Sequence, residues 1–264
     1  MISLDAIRSF YPEPMRSQGV FQKHILKEYV QLLVLDHLAT TPHVRKLAFI
    51  GGTSLRLLKG IARFSEDLDF DCKGLDDAEF RVMTDDVLRF LARNGFRPEV
   101  RDVESARLTA FRRSIHFPGL LHELGLTGHR EERFLLRIEA QDQGVPYACM
   151  MGTLRGCGLF FPFPVPPDPV LCAMKISAML DRRKGRDYFD AMFLLAQTAP
   201  DYTFLAARNG VRDWPDLQRA IEDSLQAVDL NRKRMEFEHL LFHRDDSRRI
   251  LRFREFVHAL PARN

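Results

Sequence analysis

Seven residues, SEDLDFD at Ser65–Asp71, alternate acidic and apolar side chains. An extended strand sends successive side chains to opposite faces, so Asp67, Asp69 and Asp71 share one face while Leu68 and Phe70 share the other. Such a strand requires a sheet, with a core behind it and something other than core in front. The stretch before it reads as strand, turn and helix. KLAFI (Lys46–Ile50) is a short buried strand running into Gly51 and Gly52. Thr53 or Ser54 then caps a helix carrying Leu55, Leu57 and Leu58, which stops near Gly60.

The same stretch carries chemistry. Two glycines between a strand and a helix let a ligand approach the backbone closely, and the helix start offers unpaired N–H groups to an anion. A plain tight turn would use the same pair. Carboxylates at i and i+2 of a strand project side by side, roughly 6–7 Å apart, and repel each other unless a cation lies between them. Mg²⁺ takes oxygen ligands, uses few protein carboxylates and completes its shell with substrate phosphates. A phosphate cradle beside an Asp67–Asp69 metal pair is what nucleotidyl transfer needs, with one ion activating the attacking hydroxyl and a second stabilising pyrophosphate. The competing use of the aspartates is a solvated edge-strand face. A third carboxylate from a neighbouring strand would complete the metal set, and Glu139 in FLLRIEA is the candidate, with Arg137 on its face. Glu139 could equally be a solvent-facing strand residue.

Around this centre the periodicity predicts an amphipathic helix over Phe21–Leu38, another over Asp76–Gly95, and strands over Arg97–Val103, Arg107–Phe117 and Arg133–Gln141. The first half is therefore α+β, with helices wrapped on a small mixed sheet. GLFFPFPVPPDP (Gly158–Pro169) then brings five prolines together, which reads as a stiff connection. Helical patterns follow over Val170–Leu180, Arg186–Ala196, Pro215–Ala227, Leu230–Phe242 and Ser247–His258.

Composition narrows the setting. The four cysteines (Cys72, Cys149, Cys157 and Cys172) show neither CxxC pairing nor a histidine at metal spacing, which predicts reduced thiols rather than a disulfide framework or zinc site. No apolar run approaches a membrane span and the N-terminus lacks a secretory pattern, so a cytoplasmic protein with no membrane partner is expected. A net charge of +3 is too weak to argue for nucleic acid by itself, so the location of the charge matters more.

GGTSLRLLKGIARFSEDLDFD resembles the first motif of the AbiEii/AbiGii-type nucleotidyltransferase toxins, a branch of the polymerase-beta-type superfamily. The matching positions are Gly51, Gly52, Thr53, Arg63, Phe64, Ser65, Asp67 and Asp69. The second family signature is a lysine followed by a basic cluster ending in Arg-Asp-x-x-Asp. KISAMLDRRKGRDYFDAMFLL supplies Lys175, Arg182, Lys184, Arg186, Asp187 and Asp190. The resemblance covers about Lys46–Leu195. It implies a nucleotidyltransferase core over residues 1–160 and a helical domain over 161–264 that contributes Lys175 and Asp187 to the cleft. It also implies a nucleotide site of Gly51, Gly52, Thr53, Ser54, Ser65, Lys175 and Arg186, catalysis by Asp67, Asp69, Lys175 and Asp187, and metal at Asp67, Asp69 and Glu139. Asp187 would position Lys175 or serve as general base. The implied cofactors are two Mg²⁺ ions, or Mn²⁺, with an NTP as substrate.

On this resemblance the acceptor is RNA, tRNA above all, and the chain is the toxin of a toxin–antitoxin or phage-defence system with a cognate antitoxin. The basic C-terminal segments NRKR, RDDSRR and RFR fit a phosphate-tracking surface, although acids interrupt them. A nucleotidyltransferase acting on a small molecule such as an aminoglycoside would use the same metal site. A non-catalytic nucleotide- or RNA-binding module would be expected to have lost one of Asp67, Asp69 and Lys175, all of which are present.

Overall fold

The computed structural model describes residues 3–102 and 110–261. The chain divides into two units. The first comprises Met1–Gly60, Phe64–Gly144 and Met150–Val165; the second comprises Ile61–Arg63, Val145–Cys149 and Pro166–Asn264.

The first unit holds a five-stranded mixed sheet built from β1 (Leu47–Ile50), β2 (Leu68–Cys72), β3 (Glu99–Val100), β4 (Phe111–His116) and β5 (Leu135–Gln141). The strands lie in the order β1-β2-β5-β4-β3, with β2 and β5 parallel and the other pairs antiparallel. The predicted strand Arg97–Val103 shortens to β3, and Val103 lies outside the described residues, as do residues 107–109 of the predicted Arg107–Phe117 strand. The helices of this unit are α1 (Leu4–Arg8), α2 (Glu13–Arg16), α3 (Gln22–Ala39), α4 (Gly51–Lys59), α5 (Asp77–Arg93) and α6 (Leu120–Glu123). An Asp76–Glu79 capping box starts α5, in line with the acidic onset of that segment.

The alternation in β2 sorts the sheet faces. Leu68 and Phe70 are buried, as are their neighbours Leu136, Ile138 and Ala140 on β5 and Phe49 on β1. Helix α3 is joined to α5 through His37, which hydrogen-bonds Asp86 at 2.8 Å and stacks on Phe90. The proline-rich stretch is strand for most of its length, and the chain passes from the first unit to the second at Val165–Pro166 within it. Leu159–Val165 is strand β7, paired antiparallel with β6 (Met150–Gly156) in a two-stranded sheet. Pro162 and Pro164 sit on the alternation opposite to buried Phe161 and Phe163, and a hairpin's outer strand tolerates missing N–H donors that a central strand does not. Phe163 closes a triangle with Phe49 and Phe70, with centroids 5.7–6.0 Å apart. Each such ring contributes about 1.5–3 kcal/mol by burial, and the paired geometry adds roughly 0.5–1.5 kcal/mol.

The second unit is helical: α7 (Asp168–Arg182), α8 (Gly185–Leu195), α9 (Tyr202–Asn209), α10 (Trp214–Gln226), α11 (Leu230–Met235) and α12 (Phe253–Ala259). The predicted helix Leu230–Phe242 breaks after Met235 because the backbone finds another partner. Leu241 bridges Arg63, and the Phe242 N–H donates to the Ala62 carbonyl at 3.2 Å. The predicted helix Ser247–His258 begins instead as a 3₁₀ stretch, Arg244–Arg252. Gly185 opens α8 where a Cβ would overlap the Lys233 carbonyl oxygen, so only glycine fits beneath α11. Among the described residues no helix is long and apolar enough to cross a membrane.

Candidate active site

The polar face of β2 and β5 holds the predicted acids. Asp69 is the register partner of Glu139, and Asp67 precedes β2 by one residue on the same side. On the other flank of β2, Ile50 is the partner of Asp69, and the chain turns there directly into α4. Gly51 has φ +80°, and a Cβ on it would overlap the Asp69 carboxylate and come within 2.7 Å of its Cβ and Cγ. The glycine is therefore needed twice, for its left-handed backbone and for its missing side chain. The partial positive charge of a helix start favours a carboxylate at that place.

The hydroxyls of this turn are spent inside the protein. Thr53 donates to the Asp67 carbonyl at 2.5 Å and Ser54 to the Gly51 carbonyl at 3.1 Å, and both residues are fully buried. Of these side chains, both expected on the nucleotide, Thr53 ties α4 to the residue before β2, while Ser54 bonds within the first turn of α4. Gln31 of α3 reinforces the Thr53 tie by donating to Thr53 Oγ1 (3.5 Å) and to the Ser65 carbonyl (3.3 Å). Ser65 itself is almost buried, and His24 stacks on Phe64 at 5.1 Å.

Two basic groups flank the acids. Arg137 Nη1 lies 3.6 Å from Asp67 Oδ2, and Arg112 Nε lies 2.8 Å from Glu139 Oε1. Burial pushes the Asp67 carboxyl above its ordinary range; Arg137 opposes this, Glu66 and Glu139 push it further up, and Lys27 opposes again. Lys27 of α3 is held low by burial and by Arg137, against the pull of Glu66 and Asp67. Lys27 and Gln31 were not singled out from the sequence. The signal was there in a polar stripe, His24, Lys27, Glu28 and Gln31, set among the apolar positions of the helix. Glu28 is buried against Arg56 (2.8 Å) and Tyr11 (3.0 Å). Asp71 accepts from the Gln143 N–H at 2.9 Å and is buried, so it anchors the loop after β5.

The oxygen donors present suit a hard divalent cation held by one or two carboxylates and completed by substrate phosphates. Asp67 and Asp69 match that requirement. Among the described residues no group of three or more His, Cys, Asp or Glu is gathered to hold a metal by itself, and Glu139 is engaged by Arg112.

In the second unit a buried triad forms around Asp190. Arg63 grips it with two hydrogen bonds, Nε to Oδ1 at 2.8 Å and Nη2 to Oδ2 at 2.6 Å, and Lys175 donates to Oδ2 at 2.9 Å. Arg63 is 1% exposed, Asp190 0% and Lys175 5%. Burial drives the Asp190 carboxyl upward, but the guanidinium and ammonium outweigh it and hold the group down at about 2. Asp187 does not position Lys175. Arg182 takes both of its oxygens, at 2.9 and 2.8 Å, and the Lys184 N–H donates to it at 3.3 Å, so it fixes the α7–α8 turn from a fully buried position. Orienting Lys175 falls to Asp190, with Arg63 behind it. Arg186 is half-buried in the first turn of α8.

Comparison with known proteins follows the same lines. No curated protein matches the sequence. The fold is similar to that of MenT4, nucleotidyltransferase toxin Rv2826c from Mycobacterium tuberculosis H37Rv, with TM-score 0.62 and 18% identity over 99% of this chain and 91% of that one. It is also similar to JHP933 from Helicobacter pylori, with TM-score 0.51 and 19% identity over 89% and 90%. These likenesses show an α+β fold with a small mixed sheet followed by helices. The family model for the nucleotidyl transferase AbiEii toxin, type IV toxin–antitoxin system, matches residues 33–262. Both signatures and nearly all of the described chain fall within that match, and the chain belongs to the AbiEii family of nucleotidyltransferase toxins.

Proposed function

We propose that the protein transfers a nucleoside monophosphate from an NTP to the 3′ hydroxyl of an RNA of the tRNA class, and that a cognate antitoxin restrains it. The observation that carries the reading is the juxtaposition of Asp69 with Gly51: an acid strand and a helix start meet with no side chain between them. Backbone N–H groups at the start of α4 are assigned the triphosphate. Asp67 and Asp69 would hold Mg²⁺ or Mn²⁺, which when bound supplies charge neutralisation at the phosphates and acidifies the attacking hydroxyl. Thr53 and Gln31 tie the turn to the chain entering β2, which preorganises the site for substrate. Lys175, oriented by Asp190, is assigned charge compensation of the triphosphate. Arg63 and Asp190 are positioning residues for it.

Incubation of the protein with each alpha-labelled NTP, Mg²⁺ and total RNA tests the reading. Label in bands of tRNA size is expected. Label entering no RNA, but moving to a small hydroxylated compound such as an aminoglycoside, would replace the RNA acceptor.

A further inference from the structure

The strand order gives the polar face a direction. The turn at Gly51 lies on the β1 flank, Asp67 and Asp69 belong to β2, Glu139 and Arg137 to β5, and Arg112 to β4. Arg112 is the register partner of Glu139, as Glu139 is of Asp69, so Asp69, Glu139 and Arg112 form one row across neighbouring strands. In phosphoryl transfer the attacking and leaving oxygens stand roughly in line on opposite sides of phosphorus. With the triphosphate over the start of α4, the leaving group lies towards β1 and the attacking hydroxyl enters over β5 and β4. Beside and beyond Glu139, the basic side chains met on that path are the guanidinium groups of Arg137 and Arg112.

We infer that Arg112 and Arg137 form an acceptor-side clamp for the phosphodiester next to the attacking hydroxyl, so that the acceptor is a nucleic acid end rather than an uncharged or cationic small molecule. The inference rests on the proposed placement of the triphosphate at α4. Both side chains are reachable, Arg112 at 34% exposure and Arg137 at 47%. Among the described residues each is held by one carboxylate, Arg112 by Glu139 at 2.8 Å and Arg137 by Asp67 at 3.6 Å. Partly exposed pairs of this kind add little stability, so fold stability does not account for two arginines here. A guanidinium carries five N–H donors in a planar fork, so one carboxylate leaves donors for a phosphate. Arg113, between them on the opposite face, is buried against Thr84 and Asp102 and serves the core instead.

The test is binding of labelled total tRNA across a salt series by wild-type protein, Arg112→Gln, Arg137→Gln and the double variant, with NTP affinity measured separately. Each single variant is expected to weaken RNA binding several-fold and to lower the salt slope by about 1, and the double variant by about 2. NTP affinity of Arg112→Gln, which pairs with Glu139 rather than with Asp67, should stay within about twofold. Unchanged RNA affinity and slope in a double variant that still binds NTP would overturn the clamp. Should the double variant fail to fold, the Arg→Lys pair is used; it should keep the salt slope and lose affinity, and wild-type affinity in it would equally count against a guanidinium fork. Wild-type protein that binds and labels no RNA would remove the acceptor reading and the clamp together, an outcome distinct from failure of the clamp alone.

Discussion

The carboxylate face of the first unit and the Asp190 triad of the second treat charge in opposite ways. At the triad two buried cations surround one acid, and the acid is held ionised at about 2. At the face Asp67 is pushed above its ordinary range by burial and by its acidic neighbours, with Arg137 only partly compensating. One site is neutralised from within when the chain folds. At the other the acid's ionised form is disfavoured, chiefly by burial, and the proposed divalent cation would relieve it.

Breaking the internally neutralised site should cost most. Asp190→Ala strands Arg63 and Lys175 as buried cations and is expected to destabilise the second unit by about 3–5 kcal/mol in denaturant unfolding. Gly51→Ala should follow, at about 2–4 kcal/mol, because it combines a left-handed backbone with overlap against Asp69; nucleotide transfer should vanish with it.

The two acids should also respond to pH with opposite sign. Asp190 is depressed from 3.8 to about 2, so its contribution is present above its unfolded value and is lost as pH falls from about 4 to about 2. By linkage that is on the order of 2 kcal/mol, read as the melting temperature of wild type against Asp190→Asn through that range. Asp67 is raised, so its ionisation works against the fold once pH exceeds its unfolded value, and that penalty disappears on acidification. Asp67→Asn should therefore leave the unfolding free energy at neutral pH unchanged or slightly higher, by less than about 1 kcal/mol, while abolishing transfer. A clear loss of stability in that variant would erase the contrast. Lys175→Met sharpens it further. Asp190 keeps Arg63, so the fold should hold within about 1–2 kcal/mol while turnover falls by about 100-fold or more.

Local pattern carried much of this into the sequence. The period-two run Ser65–Asp71 announced β2 and its acidic face, and a glycine pair beside a leucine-bearing helix announced the β1–α4 turn. Glu139 was reachable by the demand for an acid on a neighbouring strand, although its register with Asp69 links positions far apart in the chain. Arg63 shows what local pattern hides. The motif marks its position but not its burial, which depends on a partner 127 residues later. Asp187 and Asp190 are equivalent on paper; only the neighbours of each, Arg182 for one and Arg63 with Lys175 for the other, separate a turn-fixing acid from a positioning one. The prolines of β7 misled because the rule against proline in strands concerns central strands, and sequence does not say which strand is an edge.

Arg63 also has a consequence in time. The peptide that carries it leaves the ribosome with the first half of the chain, yet Ile61–Arg63 belongs to the unit whose remaining length is made last. Until residue 190 has been synthesised, the guanidinium has no carboxylate to enter the interior with, and the cost of burying it alone keeps it in water. A nascent chain halted before that point carries the whole acidic row of β2 and β5 but not the acid that orients Lys175. Translation as far as Asp190 is thus a condition of closing the buried triad.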